Sequence, residues 1–394
     1  MKNLFIILLA ISFCGCGQSG PNEKEKKVLK DTLKDTVKVV VKKFTFDHKY
    51  DDLALILAGM KPDSSRKEYA DIQKKQVWTE YKTTFDSSWA NLDRSRLVQM
   101  RQWASTELAE PNKLKQNIFY PFGGPDFLNV YTLFPNGKQY TLMGLEPVGD
   151  VPDIKTFKDA ELKNYLASIY NSLDDLFHKS YFITRKMGKS MHSNEINGVT
   201  PLLYVFLART GNQVVSTNVV EVNSEGNVVD YQAGSKTLAK GVKIEFLPLG
   251  QDSVRTMYYF SADVEDSKLK DNPGFVKYLD NIGTVTSYVK SASYLMHYLT
   301  FSTIRNAALK HSAYLLQDDS GIAYRFFDKG VWDIRLYGVY TQPVSDFKGQ
   351  FEKDLSEAYS KNQNVKPISF TLGYHWGSRG INLLFAKKVQ AEKK

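Results

Sequence analysis

Cysteine is nearly absent from this 394-residue chain. Its two copies, Cys14 and Cys16, both sit within the first sixteen residues. The remainder therefore has no intramolecular disulfide, Zn–Cys cluster or catalytic cysteine dyad. The sequence also lacks a phosphate loop of the GxxxxGK type, an HExxH pair, a GxSxG elbow and a CxxC pair. The common nucleotide, zinc-protease, serine-hydrolase and redox chemistries are unsupported, and no cofactor or metal is expected. Beyond the N-terminus no apolar run is long enough to cross a bilayer. Positive charge is scarce where a nucleic-acid binder would concentrate it. The net charge is +9, but Lys2, segment 17–43 and the tail 387–394 carry +8 of it. Residues 44–386 are nearly neutral, so no nucleic-acid partner is expected.

What the chain does have is an ordinary globular composition, with 42% hydrophobic, 13% aromatic and 24% charged residues. Its N-terminus is more distinctive. Leu4–Phe13 is a predominantly apolar run behind Lys2, too short for a mature membrane span but suited to a signal peptide. It ends in Phe13-Cys14-Gly15-Cys16 and then the polar Gly17–Asn22. This junction resembles the precursor of a bacterial lipoprotein. The resemblance implies a diacylglycerol thioether on one cysteine, which cleavage leaves as the first residue. Cys16 fits that place better than Cys14, because the small Gly15 precedes Cys16 whereas the bulky Phe13 precedes Cys14. It further implies membrane attachment through the lipid and a place in the cell envelope, the outer membrane ahead of the inner. Residues 16–43 then read as a Lys-rich tether, a solvated spacer in preference to a headgroup-binding strip.

Periodicity organises the rest. Helices are expected over 47–60, 65–81, 87–108, 158–177, 285–312 and 345–361. Hairpins are expected from 127–134 with 139–145 and from 323–327 with 332–339. Further strand pairs are read at 180–186 with 201–209 and at 368–375 with 381–387, and residues 210–266 are strand-rich. Tyr131, Phe134 and Gly137 recur as Tyr324, Phe327 and Gly330 at one offset. The spacing predicts an internal duplication. The expected fold is α+β, with two related lobes of small antiparallel sheets, helices packed on one side, and a helical segment ahead of them. The expected divisions are a signal peptide 1–15, the tether 16–43, a first repeat 44–209, a connection 210–270 and a second repeat 271–394.

Three constellations carry candidate chemistry. Asp126 and the pair Asp318 and Asp319 stand beside glycines in matching loops, where acids serve turns as readily as proton transfer. His297 and Arg305 are eight residues apart on an expected helix and would meet those acids as partners. The loop 187–198 carries His192 and Glu195, and insertions on a scaffold often bind ligands. Trp332 and Trp376 are conceivable glycan platforms. Together these readings favour a lipid-anchored envelope protein with a non-catalytic binding or structural role toward an envelope ligand or protein. The alternative is an envelope hydrolase using Asp/His chemistry in a cleft between the repeats.

Overall fold

A computed structural model describes residues 46–182, 196–235, 237–377 and 380–389. Cys16, the tether, His192 and Glu195 lie outside the described residues. The described residues from Phe46 onward belong to one compact unit.

Among the described residues ten strands make a single sheet: β1 Asn117–Tyr120, β2 Gln139–Gly144, β3 Asn212–Val222, β4 Val228–Asp230, β5 Lys240–Pro248, β6 Arg255–Ser261, β7 Val285–Val289, β8 Ser312–Gln317, β9 Trp332–Gly338 and β10 Asn382–Lys388. Their spatial order is β4-β3-β5-β6-β2-β1-β7-β8-β10-β9. The five central strands, β6 to β8 in that order, pair in parallel. Both flanks are antiparallel.

Helices cover both faces, because alternate residues of each central strand bury to opposite sides. Ile118, Tyr120, Tyr314 and Leu316 join one core. It is built with the helices Lys49–Leu57 (α1), Gln76–Leu92 (α2), Val98–Glu107 (α3), Phe127–Leu133 (α4), Asp159–Lys179 (α5) and Thr200–Arg209 (α6). Phe119, Val285, Val289 and Leu315 join the other core, with helices Pro273–Asp280 (α7), Ser302–His311 (α8) and Lys353–Lys361 (α9). The chain is thus mixed α and β as expected. It is one sheet between two helical layers, not two antiparallel lobes with helices on one side.

The duplication does not hold. In the first segment β1 and β2 are parallel neighbours joined through α4, whereas in the second β10 inserts between β8 and β9 in an antiparallel set. The recurring Tyr131 lies in the α-helix α4 and Tyr324 in a single 3₁₀ turn, so the local likeness of the two segments does not extend to their strand pairing. Residues 127–133 form helix α4 instead of a strand. Asp126 caps it, its carboxylate accepting from the Asn129 amide at 3.1 Å, and this satisfies an N-terminal donor that a hairpin would spend on a partner. Residues 201–209, read as a strand, belong to α6. Pro201 opens that helix and Thr200 to Ala208 are all buried, so no polar stripe betrays the 3.6-residue period. The helix expected over 285–312 begins as strand β7, where Val285, Thr286 and Val289 favour a pleat, passes through two 3₁₀ turns at Leu295–His297 and Leu299–Phe301, and becomes α-helical only at Ser302. Residues 324–326 and 373–375 are single 3₁₀ turns instead of strands. The strands expected in 210–266 are present as β3 to β6 and extend the sheet.

Candidate functional site

Parallel strands bring their carboxyl ends to one edge of the molecule. β1 leads through α4 to β2 on one side, while β7 leads through α8 to β8 on the other. Connections that leave in opposite directions make the carboxyl ends of β1 and β7 a topological switch point, the place where α/β sheets commonly take ligands. The loops after β1, β7 and β8 end there, and they carry Asp126, Lys290, Asp318 and Asp319.

Lys290 follows β7 directly. Its ammonium lies 2.7 Å from an Asp126 carboxylate oxygen, with both side chains at most 2% exposed. It also donates to the carbonyl of Ser180. Burial pushes the Lys290 pKa down, and the Asp126 charge opposes that shift. Tyr120 at the end of β1 donates its hydroxyl to Asp126 at 3.0 Å, and the Asn129 side-chain amide donates to both carboxylate oxygens. Arg96 donates to the Leu176 carbonyl at 2.6 Å. Burial pulls its pKa down to about 10, and Asp126 again opposes.

Asp318 accepts from the Ser291 amide at 3.0 Å, the Ser320 amide at 3.1 Å and the Ser320 hydroxyl. It ties the β7 loop to the β8 loop. Burial first, and the Asp319 charge second, raise its pKa. Asp319 lies 2.7 Å from His375 Nε2 and accepts from the Tyr294 hydroxyl at 2.6 Å and the Asn382 amide at 3.2 Å. For His375, burial lowers the pKa, but the hydrogen bond and charge of Asp319 more than offset it, so the net shift is upward. We expect Asp319→Asn to lower the His375 pKa, read from its ring carbon shifts during an NMR pH titration. An unmoved titration would mean that Asp319 does not set the state of His375.

The backbone of this edge is held in sparsely populated conformations. Phe122, Ser180, Ser291, Ser293 and Tyr294 have φ between +53° and +69°; Lys115 is the one other non-glycine residue described with positive φ. Each such residue costs about 1–3 kcal/mol, and they cluster where a fold is under functional constraint. Gly373 is pressed into the same place. Its φ is +58°, and a Cβ there would lie 2.6 Å from the Ser291 hydroxyl and 3.0 Å from an Asp318 oxygen. Only glycine lets the turn carrying His375 pack on the Asp318 loop.

The structure thus brings together Asp126, Asp318 and Asp319 at one edge. His297 comes near but in another role. Its Nε2 lies 3.6 Å from Glu352, and burial, reinforced by Arg325, lowers its pKa to about 4 against the pull of Asp319. Arg305 does not meet the acids. Its guanidinium donates to the carbonyls of Met296 and Tyr298 at 3.0 and 2.9 Å and lies 4.0 Å above the Phe326 ring, bracing a turn. Of the two expected partners, Arg305 does not reach Asp318 or Asp319, whereas His297 meets Asp319 at its backbone; the carboxylate of Asp319 is taken by His375. Lys290, Tyr294, His375 and Asn382 are site residues that sequence reasoning missed. Trp332 is buried against Phe327, whereas Trp376, next to His375, is 43% exposed. Among the described residues no group of three or more His, Cys, Asp and Glu is placed to hold a metal ion.

The fold and this edge define an α/β protein with a buried acid–base cluster at its topological switch point. No family model, no curated protein and no solved structure matches the chain.

Proposed function

We propose that the chain is a lipid-anchored protein of the bacterial cell envelope whose folded body binds an envelope ligand, without catalysis, at the carboxyl edge of its central strands. The anchoring reading rests on Phe13-Cys14-Gly15-Cys16 after the short apolar run. The binding reading rests on one observation. Three carboxylates at the edge are occupied by internal partners, Asp126 by Lys290, Tyr120 and Asn129, Asp318 by Ser291 and Ser320, and Asp319 by His375, Tyr294 and Asn382. Acids committed this way fix loops; they leave little acceptor capacity for a substrate proton. The fixed loops present backbone and ring edges, among them Trp376 and the half-exposed Tyr298, as a preformed surface.

The Asp319–His375 contact at 2.7 Å favours a second reading, a hydrolase in which Asp319 orients His375 as a base. A panel of ester, phosphate, peptide and glycoside substrates separates the two. Turnover by the wild type that disappears in a folded Asp319→Asn variant would replace binding with catalysis. For the anchor, Cys16→Ser should move the protein from the membrane fraction to the soluble fraction. Retention of Cys16→Ser together with release of Cys14→Ser would move the lipid to Cys14.

A further inference from the structure

The opposite edge of the sheet, where β1, β2 and β6 begin, opens into a hollow of about 1440 Å³. It is larger than most small-ligand pockets, which span roughly 300–1,000 Å³. Its lining includes six cations, Arg101, Lys113, Lys115, Lys138, Arg209 and Arg255, against two acids, Asp93 and Asp252. Two of the cations are neutralised in place. Arg101 pairs with Asp93 at 2.7 Å, and Arg209 pairs with Asp86 at 2.7 Å. That leaves four cations facing Asp252 in a body that is nearly neutral.

Arg255 is the informative one. It is 7% exposed, and its guanidinium donates to the carbonyl of Pro135 and, at 2.7 Å, to the side-chain oxygen of Gln251. Both acceptors are neutral, and among the described residues no carboxylate pairs with it. A buried guanidinium without a counter-charge is expensive unless an anion completes the site. Lys138 stands beside it in the chain's layout, because the amide of Lys138 donates to the carbonyl of Gln116, and the amide of Thr256 donates to the carbonyl of Lys138. Lys115, next to Gln116, therefore lies at the same level, just ahead of β1. It is exposed and held at φ +49°. Lys113 lies two residues back on the same rim. Trp89 and Tyr131 add aromatic wall.

We propose that this hollow is an anion-binding site for an organic ligand bearing phosphate groups, with Arg255 as the buried anchor and Lys113, Lys115 and Lys138 as the rim. Guanidinium and ammonium groups converging from three strand entries suit a multiply charged oxyanion better than a lone carboxylate. The site is separate from the carboxyl edge, so it stands or falls independently of the function proposed there.

Pyrophosphate is the probe. Titrated calorimetrically into the full-length protein in detergent at low salt, it should bind saturably and one to one, and more weakly as salt rises. The K113Q/K115Q/K138Q variant should keep the unliganded Tm and bind roughly tenfold or more weakly, the loss expected when charge-assisted contacts go. Arg255→Gln should abolish binding; if it does not fold, the exposed triple variant still decides. Asp319→Asn should bind pyrophosphate as the wild type does. No saturable binding, or equal binding by the triple variant, overturns the proposal. Glycerol 3-phosphate and monomeric dihexanoyl phosphatidic acid then separate two sources of the same chemistry. Tighter binding of the lipid assigns the hollow to a phospholipid headgroup, and equal binding assigns it to a soluble phosphate ester; each supports the anion site.

Discussion

Asp126→Asn is expected to destabilise the folded body by about 3–5 kcal/mol, the usual loss when one partner of a buried ion pair is removed. Asparagine keeps the shape of the side chain and is as good an N-cap as aspartate, so the cap of α4 survives. What disappears is the counter-charge 2.7 Å from Lys290, a side chain 2% exposed. Arg96 adds a second cation to the neighbourhood, since it lowers the Lys290 pKa that Asp126 holds up. The variant escapes part of the penalty by releasing the Lys290 proton, and that gives the loss a pH dependence. With Lys290 neutral in the fold and charged in the unfolded chain, the unfolded state binds more protons, so stability rises with pH. The deficit relative to wild type should therefore shrink as pH climbs toward the ordinary lysine value of about 10.4. Adding Lys290→Met should recover stability, because an apolar pair replaces an orphaned charge. Urea midpoints of the two single variants and the double variant check this. A double variant that loses the sum of the single losses would show that Asp126 and Lys290 do not act as a pair.

The same pair shows where the sequence was legible and where it was not. The helices at Lys49–Leu57, Asp159–Lys179 and Lys353–Lys361 and the strands β3, β5 and β6 follow their periodicity. Short, largely apolar runs do not announce their state. FLNVYTL became α4 and TPLLYVFLAR became α6 because capping and all-round burial decided, and neither leaves a polar stripe to read. Asp126, Asp318 and Asp319 stood out as acids beside glycine, and they do gather. The reason lies in topology, not in repeat symmetry. Parallel strands end on the same side, so loops after β1, β7 and β8 converge although they are far apart in sequence. Lys290 was hidden because VTSYV before it read as helix. His375 was hidden because its partner Asp319 is 56 residues away, and no local pattern encodes that contact.

Stability should depend on pH through a pair of groups one step outward from Asp319. Glu352 accepts the amide of Tyr324 at 2.6 Å and lies 3.6 Å from His297. Burial, reinforced by the Asp319 charge, raises its pKa to about 8, while burial lowers that of His297 to about 4. The two groups are therefore both neutral in the fold near pH 6. Glu352 has a folded pKa above its unfolded value of 4.5. Its contribution is complete below pH 4.5 and is lost as pH rises through 8. His297 has a folded pKa below its unfolded value of 6.5, so its contribution is complete above pH 6.5 and is lost as pH falls through 4. Between pH 4.5 and 6.5 the two slopes cancel. Above pH 6.5 only the Glu352 slope remains of the two, and at 1.36 kcal/mol per unit it removes about 2 kcal/mol by pH 8. Glu352→Gln keeps a neutral side chain of the same shape that does not titrate. Denaturant melts from pH 5 to 9 should show wild type losing stability relative to Glu352→Gln from pH 5 up to pH 8, because the His297 slope is common to both proteins, with the difference levelling beyond pH 8. Parallel curves for the two proteins would mean that Glu352 is already ionised in the fold and that its contact with His297 is an ion pair.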